Sequence, residues 1–214
     1  MEFDNRMKKQ IREWVGMGYI APEDIPTIEL YMDQVTTFMD KYLNVHKRTD
    51  EDKTLTKTMI NNYTKNELLP PPNKKKYSKE HIILLIFIFY FKSVISINDI
   101  HTILKPLVDS YNEETGSKQL YEIYSKICNL EKHHYFDIEN SIIDTMELAK
   151  KNLEKDADEY TEKLTFLSLL GYDIFIKKKL MERIIDDMNQ EQLKKEEENK
   201  KDNRKENKRD SKKQ

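Results

Sequence analysis

A short basic segment carries the side chains of this sequence that are best suited to contact phosphates and nucleobases. Residues 53–79 contain seven lysines and one acidic residue, whereas residues 1–52 and 80–190 are both net acidic. Lysine neutralises phosphate, and asparagine can form paired hydrogen bonds with adenine. Because positive charge is concentrated in one window of a chain whose net charge is −2, we expect a localised nucleic-acid-binding surface there.

Other residues with chemical potential are better explained as structural. His133 and His134 are adjacent, so their side chains point in different directions and do not form a good metal site. Cys128 follows an isoleucine on a predicted helix, which is typical of a small core residue. Asp33 and Asp40 are seven residues apart, and the solvent-facing side of one amphipathic helix explains both.

The sequence lacks the motifs of common enzyme classes. It has no Gly-x-x-x-x-Gly-Lys phosphate loop, no Gly-x-Ser-x-Gly elbow and no His-Glu-x-x-His zinc motif, and Gly16-Met-Gly18 lacks the third glycine of a dinucleotide site. A single cysteine excludes a disulfide framework within the chain and a multi-cysteine metal centre. We therefore expect no enzyme activity, no cofactor and no bound metal.

The apolar pattern predicts an all-α fold, a bundle of helices. The chain has only four glycines and six prolines, which disfavours all-β folds and glycine-looped α/β folds. Apolar residues at helical spacing predict helices over residues 4–15, 28–43, 56–67, 79–92, 97–104, 120–130, 138–153 and 160–188. The helix at 79–92 is apolar on nearly all sides, which indicates burial, and the helix at 97–104 is expected to end before Pro106.

Composition divides the chain into three parts: residues 1–110 with the basic window, residues 111–190 as a helical C-terminal region with a dimerisation or regulatory role, and residues 191–214 as a charged tail. The tail has little apolar surface to offset an ordering cost of roughly 1–2 kcal/mol per residue. We expect it to be disordered or a fraying extension of the preceding helix.

No segment of the sequence indicates export or membrane insertion. The N-terminus has no apolar region of a signal peptide. The longest apolar run, residues 82–91, covers about half of the roughly 20 residues that a membrane-spanning helix needs. We expect a cytoplasmic protein that does not contact a membrane.

Residues 54–104 resemble the helix-turn-helix unit of the MerR family of transcription regulators. In that family a Ser or Thr caps a helix ending in Tyr, followed by Gly-Leu-Leu, prolines, a basic hairpin, and Tyr-Ser or Tyr-Thr opening the next helix. The matching segments here are Thr56 to Tyr63, Leu68-Leu69-Pro70-Pro71-Pro72, Lys74-Lys75-Lys76 and Tyr77-Ser78. The segment Phe91 to Ile100 resembles the continuation of that unit.

The chain departs from the MerR pattern at two places. Glu67 stands where the family has Gly before Leu-Leu, and only residues 73–76 separate the prolines from Tyr77. The resemblance therefore implies a short wing. The whole chain also resembles the bacterial YkrK-like proteins, with which it shares Tyr-Met-Asp-Gln-Val at 31–35 and Leu-Leu-Pro-Pro-Pro at 68–72.

The MerR resemblance implies which residues form a DNA-binding site. The residues that would meet base edges or phosphates from the helix at 56–67 are Thr56, Lys57, Thr58, Asn61, Asn62, Tyr63 and Lys65. Those that would reach the flanking phosphates from the loop are Lys74, Lys75, Lys76 and Tyr77. Taken singly, the asparagines also fit a solvated helix face and the lysines a solvated loop, and Tyr63 fits packing against Leu68 equally well.

These features together predict a transcription regulator that binds double-stranded DNA. Because such proteins usually bind paired half-sites, we expect a homodimer. Residues 160–188 are the candidate dimerisation helix, although their spacing is closer to 3.6 than to a strict heptad and suits a core helix equally. We expect the helices at 4–15 and 28–43 to supply the support helix. The alternative is a non-enzymatic protein-interaction module built on a degenerate helix-turn-helix, which the acidic body and short wing also fit.

Overall fold

The computed structural model describes residues 2–111, 114–151, 153 and 158–210. Apart from one two-stranded sheet, the regular elements in this part of the chain are helices, which confirms the predicted all-α fold class. The α-helices are α1 (Glu2–Val15), α2 (Met32–Leu43), α3 (Lys57–Lys65), α4 (Lys79–Lys92), α5 (Ile97–Asp109), α6 (Glu114–Lys151) and α7 (Glu159–Asp210). The strands are β1 (Leu30–Tyr31) and β2 (Lys76–Tyr77).

Helix α4 lies at the centre of the main core. Its residues from Ile82 to Ile88 are all buried, so this stretch has no solvent-facing side. A helix that is apolar on all sides must be enclosed by other elements. Apolar residues of α2, α3, α5 and α6 join the same cluster, together with Leu30 of β1 and Tyr77 of β2.

The two short strands connect distant parts of the chain. β1 pairs with β2 in antiparallel register, with Leu30 opposite Tyr77 and Tyr31 opposite Lys76. β1 leads directly into α2, and β2 comes just before α4. Helix α2 therefore begins at Met32 and not at residue 28, because residues 30 and 31 belong to the strand.

Helix α5 continues past Pro106 to Asp109, so the prediction that it ends at residue 104 is wrong. Proline has no backbone N–H, which deprives the carbonyl of Thr102, four residues earlier, of its helical donor. The side-chain amide of Gln192 on α7 donates to that carbonyl at 2.9 Å. A residue on another helix thus supplies the hydrogen bond that the proline removes.

The two C-terminal helices are longer than predicted. Helix α6 is one element where the sequence predicted two, at 120–130 and 138–153. The residues between those two segments contain neither glycine nor proline, so no local signal ends the helix there. Helix α7 continues to Asp210, which agrees with the second of the two expectations for the tail, a helical extension. Residues 211–214 lie outside the described residues.

None of the described helices combines the length and the hydrophobicity that crossing a bilayer requires.

The contact between Gln192 and Thr102 predicts a coupled effect of two substitutions. Gln192→Leu removes the donor and should lower the free energy of unfolding by about 1 kcal/mol, as measured by urea denaturation. In a Pro106→Ala background the backbone at position 106 regains its N–H and with it the helical donor, so Gln192→Leu should then cost much less. Gln190→Leu, on the exposed side of α7, is the matched control. An equal cost of Gln192→Leu in both backgrounds would contradict this interpretation.

Candidate nucleic-acid interface

Helix α3 is fixed by its cap and by two buried side chains. The hydroxyl oxygen of Thr56 accepts a hydrogen bond from the backbone N–H of Met59 at 3.2 Å, which is the usual N-cap arrangement. Ile60 and Tyr63 are buried in the main core. One side of α3 is thus anchored, which leaves the opposite side to solvent.

The exposed side of α3 is polar and continuous. Thr58, Asn61, Asn62 and Lys65 are all exposed. Their spacing of i, i+3, i+4 and i+7 places them on one face of the helix. Lys57 is also exposed, and its ammonium group pairs with the carboxylate of Asp33 near the start of α2. Five of the predicted site residues therefore lie on accessible parts of this helix.

A Schellman motif ends α3. The N–H of Leu68 donates to the carbonyl of Tyr63 at 2.9 Å, and the N–H of Glu67 donates to the carbonyl of Thr64 at 3.2 Å. Glu67 has a φ of 57°, in the left-handed region. This is the position where the MerR pattern has glycine, the residue that adopts this conformation without strain. The backbone conformation thus corresponds to a glycine position although the side chain is different.

A buried histidine joins the end of α3 to the start of α4. His81 is 1% exposed. Its Nδ1 accepts a hydrogen bond from the N–H of Ser78 at 3.0 Å. Its Nε2 therefore carries the proton and donates to the carbonyl of Pro70 at 3.2 Å. Burial lowers the pKa of His81, so the ring is neutral near pH 7.

The basic loop is a tight turn with lysine at both central positions. Lys74 and Lys75 have φ values of 48° and 65°, and the N–H of Lys76 donates to the carbonyl of Asn73 at 2.9 Å. Two successive positive φ values with this bond define a type I′ turn, which ordinarily contains Asn or Gly. The side chains of Lys74 and Lys75 are exposed. The basic loop is therefore a two-residue turn closed by the bridge between Asn73 and Lys76.

The start of α2 contacts both parts of the candidate site. Asp33 pairs with Lys57 at the first residue of α3. Two residues earlier, the ring of Tyr31 lies 5.7 Å from the ammonium nitrogen of Lys76, in the cross-strand position set by the sheet. The first residue of α3 and the residue that follows the two central turn lysines thus flank one helix end.

Two tyrosines of the predicted site lie in the core. Tyr63 is 6% exposed and Tyr77 is 3% exposed, and burial raises the pKa of both phenols. Side chains at this depth do not reach a phosphate, so the predicted phosphate contacts of Tyr63 and Tyr77 are corrected. For Tyr63 the burial favours the packing alternative. Thr56 is half-buried, and its hydroxyl caps α3.

Sequence reasoning missed Tyr31 and Asp33 as neighbours of the basic residues. Tyr31 becomes a neighbour of Lys76 only through the β1–β2 pairing, which links residues 45 positions apart. Asp33 was assigned to a solvent-facing stripe, and 77% of its side chain is exposed although it pairs with Lys57. No local spacing in the sequence relates Tyr31 to Lys76 or Asp33 to Lys57.

The residues considered for other chemistry do not form a second centre. The imidazole of His134 lies 3.2 Å from the carboxylate of Asp137, and both side chains are exposed. In the described part of the chain no group of three or more potential metal ligands occurs. Cys128 is buried and its Sγ lies 3.8 Å from the carbonyl of Ile20, which confirms the interpretation of a core residue.

The fold and site define an all-α protein with an exposed polar helix face and an exposed basic turn. The model of DUF1836, a domain of unknown function, matches residues 20–127, which is half of the 214-residue chain. The chain therefore belongs to the DUF1836 family. The matched region extends from the segment before β1 into α6 and contains every residue of the candidate interface. No curated protein and no solved structure matches the chain.

The buried His81 predicts a pH-dependent stability. Its pKa is lowered in the folded state, so the stability that it contributes is complete above the unfolded-state pKa, about 6.5, and is lost as the pH falls below that value. We expect the melting temperature to fall between pH 7.5 and 5.5, and to fall less steeply for His81→Gln, which retains a donor for Pro70. The exposed His133→Gln is the control and should follow the wild-type slope. Parallel curves for all three proteins would rule out His81 as the titrating group.

Proposed function

We propose that this DUF1836 protein is a DNA-binding transcription regulator of the bacterial cytoplasm. The observation that carries the proposal is the exposed polar face of α3 beside the lysine turn. The major groove of DNA accepts an α-helix, and polar side chains on its exposed face contact base edges. In this arrangement Asn61 and Asn62 read bases while Lys65 and Lys57 neutralise phosphates.

The backbone of the basic turn supports a role for its lysines. A non-glycine residue in the left-handed conformation costs roughly 1–2 kcal/mol. Lys74 and Lys75 both adopt this conformation, although Asn-Gly would fit the same turn with less strain. Strain of this kind is concentrated at functional positions. A contact between both ammonium groups and phosphates accounts for lysine at these positions.

The MerR resemblance, which named these residues, also supports the proposal. The elements follow the order of that pattern: a Thr cap, a helix, a left-handed residue at 67, prolines, a basic hairpin and a capping serine before α4. A protein-interaction module is the second candidate, since a degenerate unit would keep the same elements without DNA contacts.

The turn lysines predict opposite changes in stability and in DNA binding. The double variant Lys74→Asn/Lys75→Gly should raise the melting temperature, because it relieves two strained residues. The same variant should weaken binding to all DNA duplexes alike and reduce the log–log salt slope by roughly 0.9 for each lost phosphate contact. The measurements are thermal unfolding and fluorescence anisotropy at several salt concentrations.

The control for the turn variant is Lys41→Asn, on the exposed side of α2. It should leave the DNA affinity and the salt slope unchanged. If the double variant is more stable but binds DNA as tightly as the wild type, the turn lysines do not contact phosphates.

The asparagines predict a change in sequence preference. Genomic DNA fragments selected by the wild-type protein at physiological salt should be enriched in a common site, because specific binding typically exceeds non-specific binding by about a thousandfold or more. Asn61→Ala should relax the preference at particular base pairs and leave binding to random duplex nearly unchanged. Absence of any enriched site would favour the protein-interaction module.

A second copy of the chain is the other partner that we propose. Ten of the twenty exposed large apolar side chains in the described residues lie on α7. Between residues 160 and 174 the spacing alternates between four and three, as in a coiled-coil seam. The residues of this apolar stripe are Tyr160, Leu164, Leu167, Gly171 and Ile174. Farther along the same side of α7, Met181 and Ile185 pack on the main core.

The apolar stripe is complementary to itself in an antiparallel pair. Placing Leu164 opposite Leu167 of the partner subunit sets Tyr160 opposite Gly171 of the partner subunit. A Cβ atom at Gly171 would have no neighbour within 4 Å. In the pair, the ring of Tyr160 therefore meets open space at Gly171 of the partner subunit. Pairing of large with small residues and a two-fold symmetric contact are typical of homodimers.

The apolar stripe predicts which substitutions dissociate the dimer. Leu164→Glu and Leu167→Glu should each convert the protein to a monomer in sedimentation equilibrium, and Gly171→Leu should weaken the dimer by removing the space for Tyr160. Leu148→Glu, at an exposed position of α6, is the control and should remain dimeric. A wild-type protein that is monomeric at tens of micromolar would contradict the pairing.

A further inference from the structure

A cavity of about 460 Å³ lies between the segment that joins α2 to α3 and the C-terminal end of α4. Its volume is in the range of small-molecule sites, about 300–1,000 Å³. The half-buried ring of Phe89 supplies apolar surface, and the side chains of His46 and Tyr90 supply polar aromatic surface. None of these residues belongs to the proposed DNA-binding surface.

The polar aromatic side of the cavity is held in place. The hydroxyl of Tyr90 donates to the carbonyl of Gly18 at 2.6 Å. That hydroxyl oxygen lies 3.1 Å from Nε2 of His46, so the imidazole donates to it. Burial lowers the pKa of His46, which keeps the ring neutral near pH 7. This side therefore offers aromatic surface without charge.

The charge of the cavity rim is positive. Of its charged groups, Lys47 pairs with Asp40 at 3.0 Å, and Asp52 accepts hydrogen bonds from the backbone N–H groups of Arg48 and Thr49. Two further lysines at the rim, Lys53 and Lys92, have no acidic partner within the part of the chain that the structure describes. They provide two ammonium groups for an anion beside an apolar wall.

We propose that this cavity binds a small aromatic anion, of the class of aromatic carboxylates and aryl phosphates. The ring lies against Phe89, and the anionic group lies between Lys53 and Lys92. Apolar lining with a few polar groups that fix orientation is the common pattern of small-ligand sites. A neutral aromatic compound lacks the contact with the lysines, and a cationic one is repelled by them.

The cavity is connected to α3 at two points. Asp52, Lys53 and Thr54 line it, and the chain continues from them through Leu55 to the Thr56 cap of α3. The ammonium group of Lys92 also lies 3.9 Å from the sulfur of Met59 on α3. A ligand that attracts Lys92 and fixes residues 52–54 changes the support of α3. This coupling to DNA affinity rests on the proposed function, whereas ligand binding does not.

Calorimetric titration of the full chain tests the ligand class. The probes are benzoate and phenyl phosphate as anions, benzyl alcohol as the neutral analogue, benzylamine as the cation, and inorganic phosphate as an anion without a ring. We expect both aromatic anions to bind at least tenfold more tightly than the other three. Equal binding of benzyl alcohol and benzoate, or tighter binding of inorganic phosphate than of phenyl phosphate, would overturn the assignment.

Substitutions locate the site. Lys53→Met and Lys92→Met should each weaken phenyl phosphate binding at least fivefold, and both replace exposed side chains, so the fold should persist in thermal unfolding. Lys126→Met, at an exposed position of α6, is the matched control and should bind as the wild type does. Unchanged binding in both Lys53→Met and Lys92→Met would place the ligand elsewhere and refute the proposal.

DNA affinity measured with and without saturating phenyl phosphate tests the coupling. We expect a several-fold change in the wild type that is lost in Lys92→Met, and DNA should change the ligand affinity by the same factor. Ligand binding without any change in DNA affinity would overturn the coupling. Failure of the ligand-free protein to bind DNA would overturn the proposed function and leave the calorimetric result intact.

Discussion

Helix α4 has no polar face between Ile82 and Ile88, and its enclosure by other elements is the constraint on which the structure depends. Full burial of a large apolar side chain contributes roughly 1.5–3 kcal/mol, so seven in succession outweigh most local preferences of the surrounding chain. The same core takes Ile60 and Tyr63 from α3 and Tyr77 from β2. The polar helix face and the basic turn are therefore positioned by the residues beneath them.

The sequence was most informative where local chemistry decides the structure. The apolar run and its serine cap predict α4 with its observed bounds, and Thr56 predicts the start of α3. The exposed face of α3 follows from the same spacing that buries Ile60 and Tyr63. Of the three predicted loop lysines, Lys74 and Lys75 are exposed, whereas Lys76 belongs to β2 and is half-buried.

Distant partners explain the predictions that failed. Pro106 predicts the end of a helix, but Gln192 donates the hydrogen bond that the carbonyl of Thr102 would otherwise lack. No spacing rule relates residues that are so far apart in the sequence. From the sequence, Tyr77 was predicted to contact phosphate. In the structure it pairs with Leu30 across the sheet, and its side chain lies in the core.

The left-handed backbone positions could not be predicted from residue type. This conformation is ordinarily predicted from glycine or asparagine, whereas the residues with positive φ values here are Glu67, Lys74 and Lys75.

Helix α7 contacts different parts of the molecule along its length. Phe166 packs with Met146 of α6 and Met7 of α1, whereas Gln192 bonds to α5. These two contacts are separated by about 39 Å at a rise of 1.5 Å per residue. Between these two contacts, Met181 and Ile185 pack on the main core, so α7 is held at three places along its length. A tilt that begins at α1 and α6 therefore strains the packing of Met181 and Ile185 before it reaches the bond between Gln192 and Thr102.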